Sequence, residues 1–205
     1  MRTRQCARVL VIGVEVLSRV LDWQDRNTCV LFGDGAGAVV LGPERDTGEG
    51  VCRGILSVDL AADGTGAADL LIPAGGSRCP TSGLTVSQNL HTVKMNGKAV
   101  FAAAVRHLVS TCQTTLRNHG LDAANVGLVV AHQANLRIVE AVADRLGLAP
   151  EQVYLNVQRY GNTSSASIPI ALDEAIQEGR VKAGMTLLLC AFGAGFAWGS
   201  ALVRW

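Results

Sequence analysis

An α/β protein with a mostly parallel sheet is the fold class this sequence predicts, and three observations predict it. From residue 94 onward, short aliphatic runs alternate with segments whose apolar residues recur every three or four positions. That is the pattern of strand–helix–strand units joined by right-handed crossovers. Glycine punctuates nearly every change of pattern, which suits tight turns and helix ends. A chain of 205 residues, 49% hydrophobic and 17% charged, suffices for one sizeable core, burying about 70% of the unfolded surface.

The elements follow in order. Residues 9–13, VLVIG, are aliphatic and closed by glycine, predicting a short buried strand. Residues 30–42 predict paired short strands broken by GDGAG, and residues 53–60 another strand. Residues 61–83, with five glycines and two prolines, predict irregular surface connection. Phe101, Val105, Leu108, Cys112 and Leu116 then form one apolar stripe on a helix ending near Asn118-His119-Gly120, where glycine suits the C-terminal cap. Residues 126–131 predict a buried strand. Residues 135–146 predict a helix with Ile138, Val139, Val142 and Leu146 inward, closed by Gly147 and Pro150. A strand at 153–157 and a helix over 163–178 follow, the helix beginning near Asn162 with Pro169 early, where its missing N–H costs least. Strands at 185–192 and 198–205, joined by a short glycine turn, are expected to be antiparallel. The segments CVLFGDGAGAVVLG and LLLCAFGAGFAWGSALV echo each other and suggest two related halves.

Bulk properties narrow the function. The net charge of +1, with both signs interspersed, provides no basic stripe for nucleic acid or an anionic membrane. No apolar run reaches the roughly 18 residues that span a bilayer. The six cysteines, Cys6, Cys29, Cys52, Cys79, Cys112 and Cys190, form no Cys-x-x-Cys, so reduced thiols in a reducing compartment are expected. That compartment is the cytoplasm or, alternatively, a plastid. Residues 1–8 are Arg-rich but too short for a transit peptide, and the abrupt entry into a strand suggests a truncated start.

In a parallel α/β sheet, ligands gather beyond the carboxyl ends of the strands. Three strand ends carry unusual sequences: AHQANLR at 131–137, YGNTSSAS at 160–167 and FGAGF at 192–196. If they open on one edge, His132, Asn162 and the backbone near Ala194 lie within reach of one another. Each has a plainer reading: His132 as a hydrogen-bonded structural residue, Asn162 as a helix N-cap, and FGAGF as a tight turn. Together they suit convergent donation to a developing oxyanion or enolate. No carboxylate occupies these loops, which argues against a Ser-His-Asp arrangement. Gly33-Asp34-Gly35-Ala36-Gly37-Ala38 fits the looser dinucleotide fingerprint, but Val39-Val40-Leu41 and Pro43 follow where a helix is required. The four histidines are too scattered for a zinc site.

AHQANLRIVEAVADRLGL resembles the histidine motif of β-ketoacyl-acyl-carrier-protein synthase III, and RYGNTSSASIPIALDEA resembles its asparagine motif. AFGAGFAWGSALVRW resembles the family's closing strands, while FGDGAGAVVLG and MNGKAVF resemble two further segments. The resemblance implies a thiolase-like layered α-β-α-β-α fold. Here it would comprise the last hairpin of the first half plus the complete second half. Residues 1–60 would be the remnant of the first half and crossover, 61–93 an irregular connection and 94–205 the second half.

The resemblance implies an acyltransferase of type II fatty-acid synthesis, condensing acyl-coenzyme A with malonyl-acyl carrier protein as CO₂ and coenzyme A leave. It implies acyl carrier protein and acyl-coenzyme A as partners, a homodimer, and no cofactor or metal. His132 and Asn162 would bind the malonyl thioester carbonyl, with His132 neutral. The N–H of Ala194, where relatives often have glycine, would form half of a second oxyanion hole. Arg26, Gly97, Phe101, Ala134, Asn135 and Arg137 would meet coenzyme A or the pantetheine arm, and Leu17 and Phe192 the acyl pocket. The family's nucleophilic cysteine starts a buried helix, and its surrounding motif is absent here, so all six cysteines are expected to be structural. The chain alone is then expected to be incomplete for acyl transfer. The alternatives are a non-catalytic domain binding an acyl thioester or a partner, and a related condensing enzyme such as a type III polyketide synthase.

Overall fold

The computed structural model describes residues 6–43 and 53–205. The chain enters through β1 (Val9–Glu15), which pairs antiparallel with β2 (Gly35–Leu41), Gly13 opposite Gly37. Two expectations fail here. Residues 30–42 hold one strand rather than two, because the backbone before β2 is committed to a distant loop. The carbonyl of Leu31 accepts from the N–H of Asn162 at 2.8 Å, and Gly33 donates back to the Asn162 carbonyl at 2.9 Å. Nor is β1 buried: Leu10 and Ile12 are 59% and 60% exposed, since nothing among the described residues covers that side of the hairpin. The echo between the chain ends is therefore incomplete, as only the second copy has a strand before its glycines. No helix follows GDGAG, in keeping with the rejected dinucleotide reading.

β3 (Gly54–Ala62) is followed by the two-residue β4 (Leu70–Leu71) and the short helix α1 (Gly83–Ser87), capped reciprocally by Ser82 and Thr85. β4 pairs with β5 (Lys94–Met95), so the connection predicted as irregular carries a helix and part of a small ladder. The long helix α2 (Gly97–Asn118) starts at Asn96, whose side-chain oxygen accepts from the Ala99 N–H. β6 (Leu128–Ala131) leads to α3 (Leu136–Leu146), capped by Asn135 and closed by Gly147 at φ +70°. The one-turn helix α4 (Val157–Tyr160) precedes α5 (Ser167–Gln177), and the chain ends with β7 (Thr186–Gly193) and β8 (Ala197–Arg204).

The main sheet has the order β3-β8-β7-β6 and is mixed rather than mostly parallel. β6 and β7 are parallel, while β7–β8 and β8–β3 are antiparallel. The reason is connection length: the chain between β6 and β7 is long enough to cross over, whereas the short turn after β7 forces β8 to run back. Residues 153–157 are not a strand. Val153 makes one isolated parallel bridge to Val129, and beyond it the buried side chain of Gln133 takes the place of a ladder. Its Nε2 donates to the carbonyls of Ala131 (2.9 Å) and Tyr154 (3.1 Å), and its Oε1 accepts from the N–H groups of Asn156 (3.0 Å) and Val157 (3.2 Å).

Alternation along β6 and β7 divides the core. Val129, Ala131, Leu188, Cys190 and Phe192 face α2 and α3, burying Val105, Leu108, Cys112 and Leu116 of the predicted stripe, whereas its first member, Phe101, is 39% exposed. Leu128, Val130 and Leu187 face the other way, against Ala171, Leu172 and Ala175 of α5.

Candidate functional site

The first loop is held by the end of the parallel pair. The N–H of His132 donates to the Cys190 carbonyl at 2.7 Å, extending the β6–β7 ladder by one residue. The imidazole then turns toward Ser167 at the start of α5, with Nδ1 2.6 Å from its Oγ. Burial pushes His132 down to a pKa of about 4, so the ring is neutral at ordinary pH. Among the described residues no carboxylate holds this ring; its partner is a hydroxyl.

The second loop is clamped from both sides. Gly161, at φ +66°, lets the chain turn so that Asn162 bridges Phe32. Glycines of the hairpin allow the close approach: a Cβ on Gly33 would lie 2.1 Å from the Tyr160 carbonyl oxygen, and one on Gly13 2.2 Å from that of Ser165. Glu15, at the end of β1, accepts from the Ser165 hydroxyl at 2.7 Å. The Asn162 side-chain oxygen accepts from the Ser164 N–H at 2.9 Å, leaving the amide NH₂ as the end that can donate to a ligand. Asn162 is not the expected helix cap: α5 begins only at Ser167, after Ala166, and the Asn162 bond holds a local turn instead. Ser164 has φ +48°, unusual for a residue with a side chain and held by that bond.

The third loop is the β7–β8 turn. Asp63 and Phe196 exchange backbone hydrogen bonds at 2.8 and 2.7 Å, tying the turn to the end of β3. Among the described residues, positive φ outside glycine occurs only at Asn89 and Ser164, so Ala194 has a conformation that tolerates its methyl group. Phe192 is held between Phe196, with ring centroids 5.0 Å apart, and His107 at 6.2 Å.

All three loops line one cavity of about 1080 Å³ that includes His132, Asn162 and Ala194. Of the other residues singled out in the sequence, Leu17, Gly97, Phe101, Ala134, Asn135, Arg137 and Phe192 also line it. Arg26 does not: it is exposed on the turn between Asp25 and Asn27, which do. Lys98, at the first turn of α2, adds a second cation to the lining that sequence reasoning missed. Gln133 and Ser167 were missed too, although both sit inside the motifs quoted above; a polar residue at a strand end or helix start does not reveal its partner. Among the described residues no three His, Cys, Asp or Glu side chains converge as metal ligands, and no helix is long and apolar enough to cross a membrane.

Two family models match this chain: 3-oxoacyl-[acyl-carrier-protein] synthase III over residues 1–64, and the C-terminal part of the same synthase over residues 116–205. The β-ketoacyl-[acyl-carrier-protein] synthase III of Symbiobacterium thermophilum is 54% identical over 96% of the chain and 58% of that relative. The chain belongs to the β-ketoacyl-acyl-carrier-protein synthase III family. The crystal structure of 3-oxoacyl-[acyl-carrier-protein] synthase III from Aquifex aeolicus superposes with a TM-score of 0.87 at 42% identity, covering 100% of this chain and 60% of that one. A priming β-ketosynthase of the R1128 polyketide pathway is similar at 35% identity and a TM-score of 0.83, over 97% of this chain and 57% of its own. The fold is thus thiolase-like α/β, as the resemblance implied. The chain spans about 58% of the length of the curated synthase III relatives it matches.

Set beside the synthase III family, the cysteines have a consistent geometry. Cys112 lies well inside α2 and Cys190 within β7, both buried, and their mutual hydrogen bond together with burial raises the Cys112 thiol well above its usual value. Cys29 and Cys79 are half-buried in turns, Cys6 is exposed, and Cys52 lies outside the described residues. None of the described cysteines starts a helix.

Proposed function

We propose that this chain carries the decarboxylating side of a β-ketoacyl-acyl-carrier-protein synthase III. The substrate is a malonyl thioester, with acyl carrier protein or coenzyme A as its carrier. The supporting observation is the shared cavity lined by one imidazole and one carboxamide, whose side-chain hydrogen-bond partners among the described residues are a serine hydroxyl and a backbone N–H rather than carboxylates. His132 and Asn162 donate to the thioester carbonyl. As CO₂ leaves, the electron pair of the broken C–C bond becomes an enolate, and the two donors stabilise its oxygen. Neutral His132 suits this role, since it donates a hydrogen bond without giving up its proton.

In the complete reaction the acyl group first passes from coenzyme A to a cysteine that none of the described residues supplies, releasing the coenzyme A thiol. The enolate carbon then attacks that thioester, and the acyl–sulfur bond breaks as the cysteine thiolate leaves. Acetyl-coenzyme A is the acyl donor, and 3-oxoacyl-acyl carrier protein is the product. Ala194 supplies a backbone donor for the tetrahedral oxyanion. Gly97, Phe101, Ala134 and Asn135 guide the pantetheine arm, and Arg137, with Lys98, meets the phosphates of coenzyme A, whereas Arg26, off the lining, has no such part. Leu17 and Phe192 bound the acyl end. Residues 94–205 act as the second half of a cytoplasmic homodimeric enzyme, with residues 1–60 contributing the hairpin that props the Asn162 loop.

The test is to incubate the purified chain with malonyl-coenzyme A and follow CO₂ and acetyl-coenzyme A. Release that disappears in His132→Ala and Asn162→Ala supports the assignment. Binding of malonyl-coenzyme A without CO₂ release overturns it in favour of a thioester-binding domain. In parallel, intact mass after exposure to acetyl-coenzyme A is expected to show no cysteine adduct.

A further inference from the structure

The hydroxyl of Ser167 has a specific set of neighbours. It is 2% exposed, accepts from the Gln133 N–H at 3.3 Å, and lies 2.6 Å from His132 Nδ1. Among the described residues it has no other hydrogen-bond partner, so its proton has one acceptor available, the imidazole nitrogen. Among the described residues the second ring nitrogen of His132 has no hydrogen-bond partner, and the ring lines the cavity. A neutral imidazole carries one proton, and the bond made by one nitrogen decides which of the two holds it. Gln133 is itself fixed by four side-chain hydrogen bonds, so its N–H is a rigid anchor for this chain of donors.

We propose that Ser167 is a positioning residue: the relay from Gln133 N–H to Ser167 O–H to His132 Nδ1 fixes the imidazole as the Nε2–H tautomer and aims that proton into the cavity. This deepens the role given to His132 above and rests on that reading for its catalytic meaning, although the tautomer itself does not. Were Nδ1 to carry the proton, two hydrogens would compete for the 2.6 Å gap or the serine proton would be left without an acceptor. The cavity would then face a lone pair, which cannot donate to a thioester carbonyl. Replacing the hydroxyl removes the preference without removing the ring.

The test is long-range ¹H–¹⁵N correlation on the uniformly labelled chain, reading the two ring nitrogens of His132 near neutral pH. The expected wild-type result is a protonated Nε2 and an unprotonated Nδ1. Ser167→Ala is expected to show averaged nitrogen shifts and a loss of tenfold or more in kcat for malonyl decarboxylation with little change in KM, and Ser167→Thr to restore both. A wild-type Nδ1–H signal overturns the proposal, as does an unchanged Nε2–H signal in Ser167→Ala. Should the alanine variant fail to fold, the wild-type spectrum alone decides. Loss of the malonyl reading, seen as full activity in His132→Ala, leaves the spectroscopic outcome separately readable.

Discussion

The side chain of Gln133 and the backbone of Asn156, 23 positions apart, are joined by a 3.0 Å hydrogen bond that stands where a strand pairing would be. Gln133 is 1% exposed, and truncating it strands two carbonyls and two N–H groups in the interior. Gln133→Ala is expected to destabilise the chain by about 3 kcal/mol, since each unsatisfied buried group costs roughly 1–3 kcal/mol and relaxation recovers part of it. Urea unfolding checks this, read as a lower midpoint at unchanged slope.

Gly33 and Gly13 allow the hairpin to touch the Asn162 loop. Gly33→Ala places a methyl 2.1 Å from the Tyr160 carbonyl oxygen, a backbone atom that has little room to move. The expected cost is about 1–3 kcal/mol in stability. Malonyl decarboxylation should fall further than stability accounts for, because the clash displaces the segment before Asn162. Thermal melts and initial rates on the same preparation separate the two effects.

The pH dependence follows from His132. Its pKa is lowered from 6.5 to about 4 on folding, so between those values the unfolded chain binds more protons than the folded one. Stability from this group is fully present above pH 6.5 and is lost as pH falls toward 4, by at most roughly 3 kcal/mol. His132→Gln should flatten that stretch of the stability–pH curve. The acid limb of decarboxylation assigned to His132 should lie near pH 4, which a pH–rate profile reads directly.

Exposed aliphatic residues on β1 and β3 should drive association. Leu60 is 82% exposed on β3, the edge of the main sheet, and Ile12 lies on the uncovered hairpin. The double substitution Ile12→Lys, Leu60→Lys should raise the monodisperse fraction in size-exclusion chromatography, with cavity ligand binding unchanged.

Arg137→Ala should weaken binding of coenzyme A thioesters several-fold, because Arg137 and Lys98 are the two cations among the lining residues of the cavity. The loss should shrink as salt is raised, which titrations at two ionic strengths would show. Arg26→Ala, an exposed side chain off the lining, should have the smaller effect.

Much of this was legible because periodicity and caps are local. The stripe on α2, the Asn135 and Gly147 ends of α3 and the antiparallel closing strands all follow from residues a few positions apart. Where local reading went astray, a distant partner intervened. Val153–Val157 has strand composition, yet Gln133 satisfies its backbone; Val30–Phe32 looks like a strand, yet Asn162 occupies its hydrogen bonds. β1 reads as buried because an aliphatic run records the surface it needs to cover, and the described residues leave that surface open.

By itself, then, the amino-acid order determined helices α2 and α3 and where they stop, and which three loops carry polar groups able to stabilise an oxyanion. Only the tertiary structure decided that His132 leans on Ser167, that Asn162 is braced by glycines from the hairpin, and that the sheet is mixed. The physical reason is reach. Propensity and capping act over one or two turns of chain, whereas the orientation of an imidazole or a carboxamide depends on donors that only folding brings within 3 Å or so.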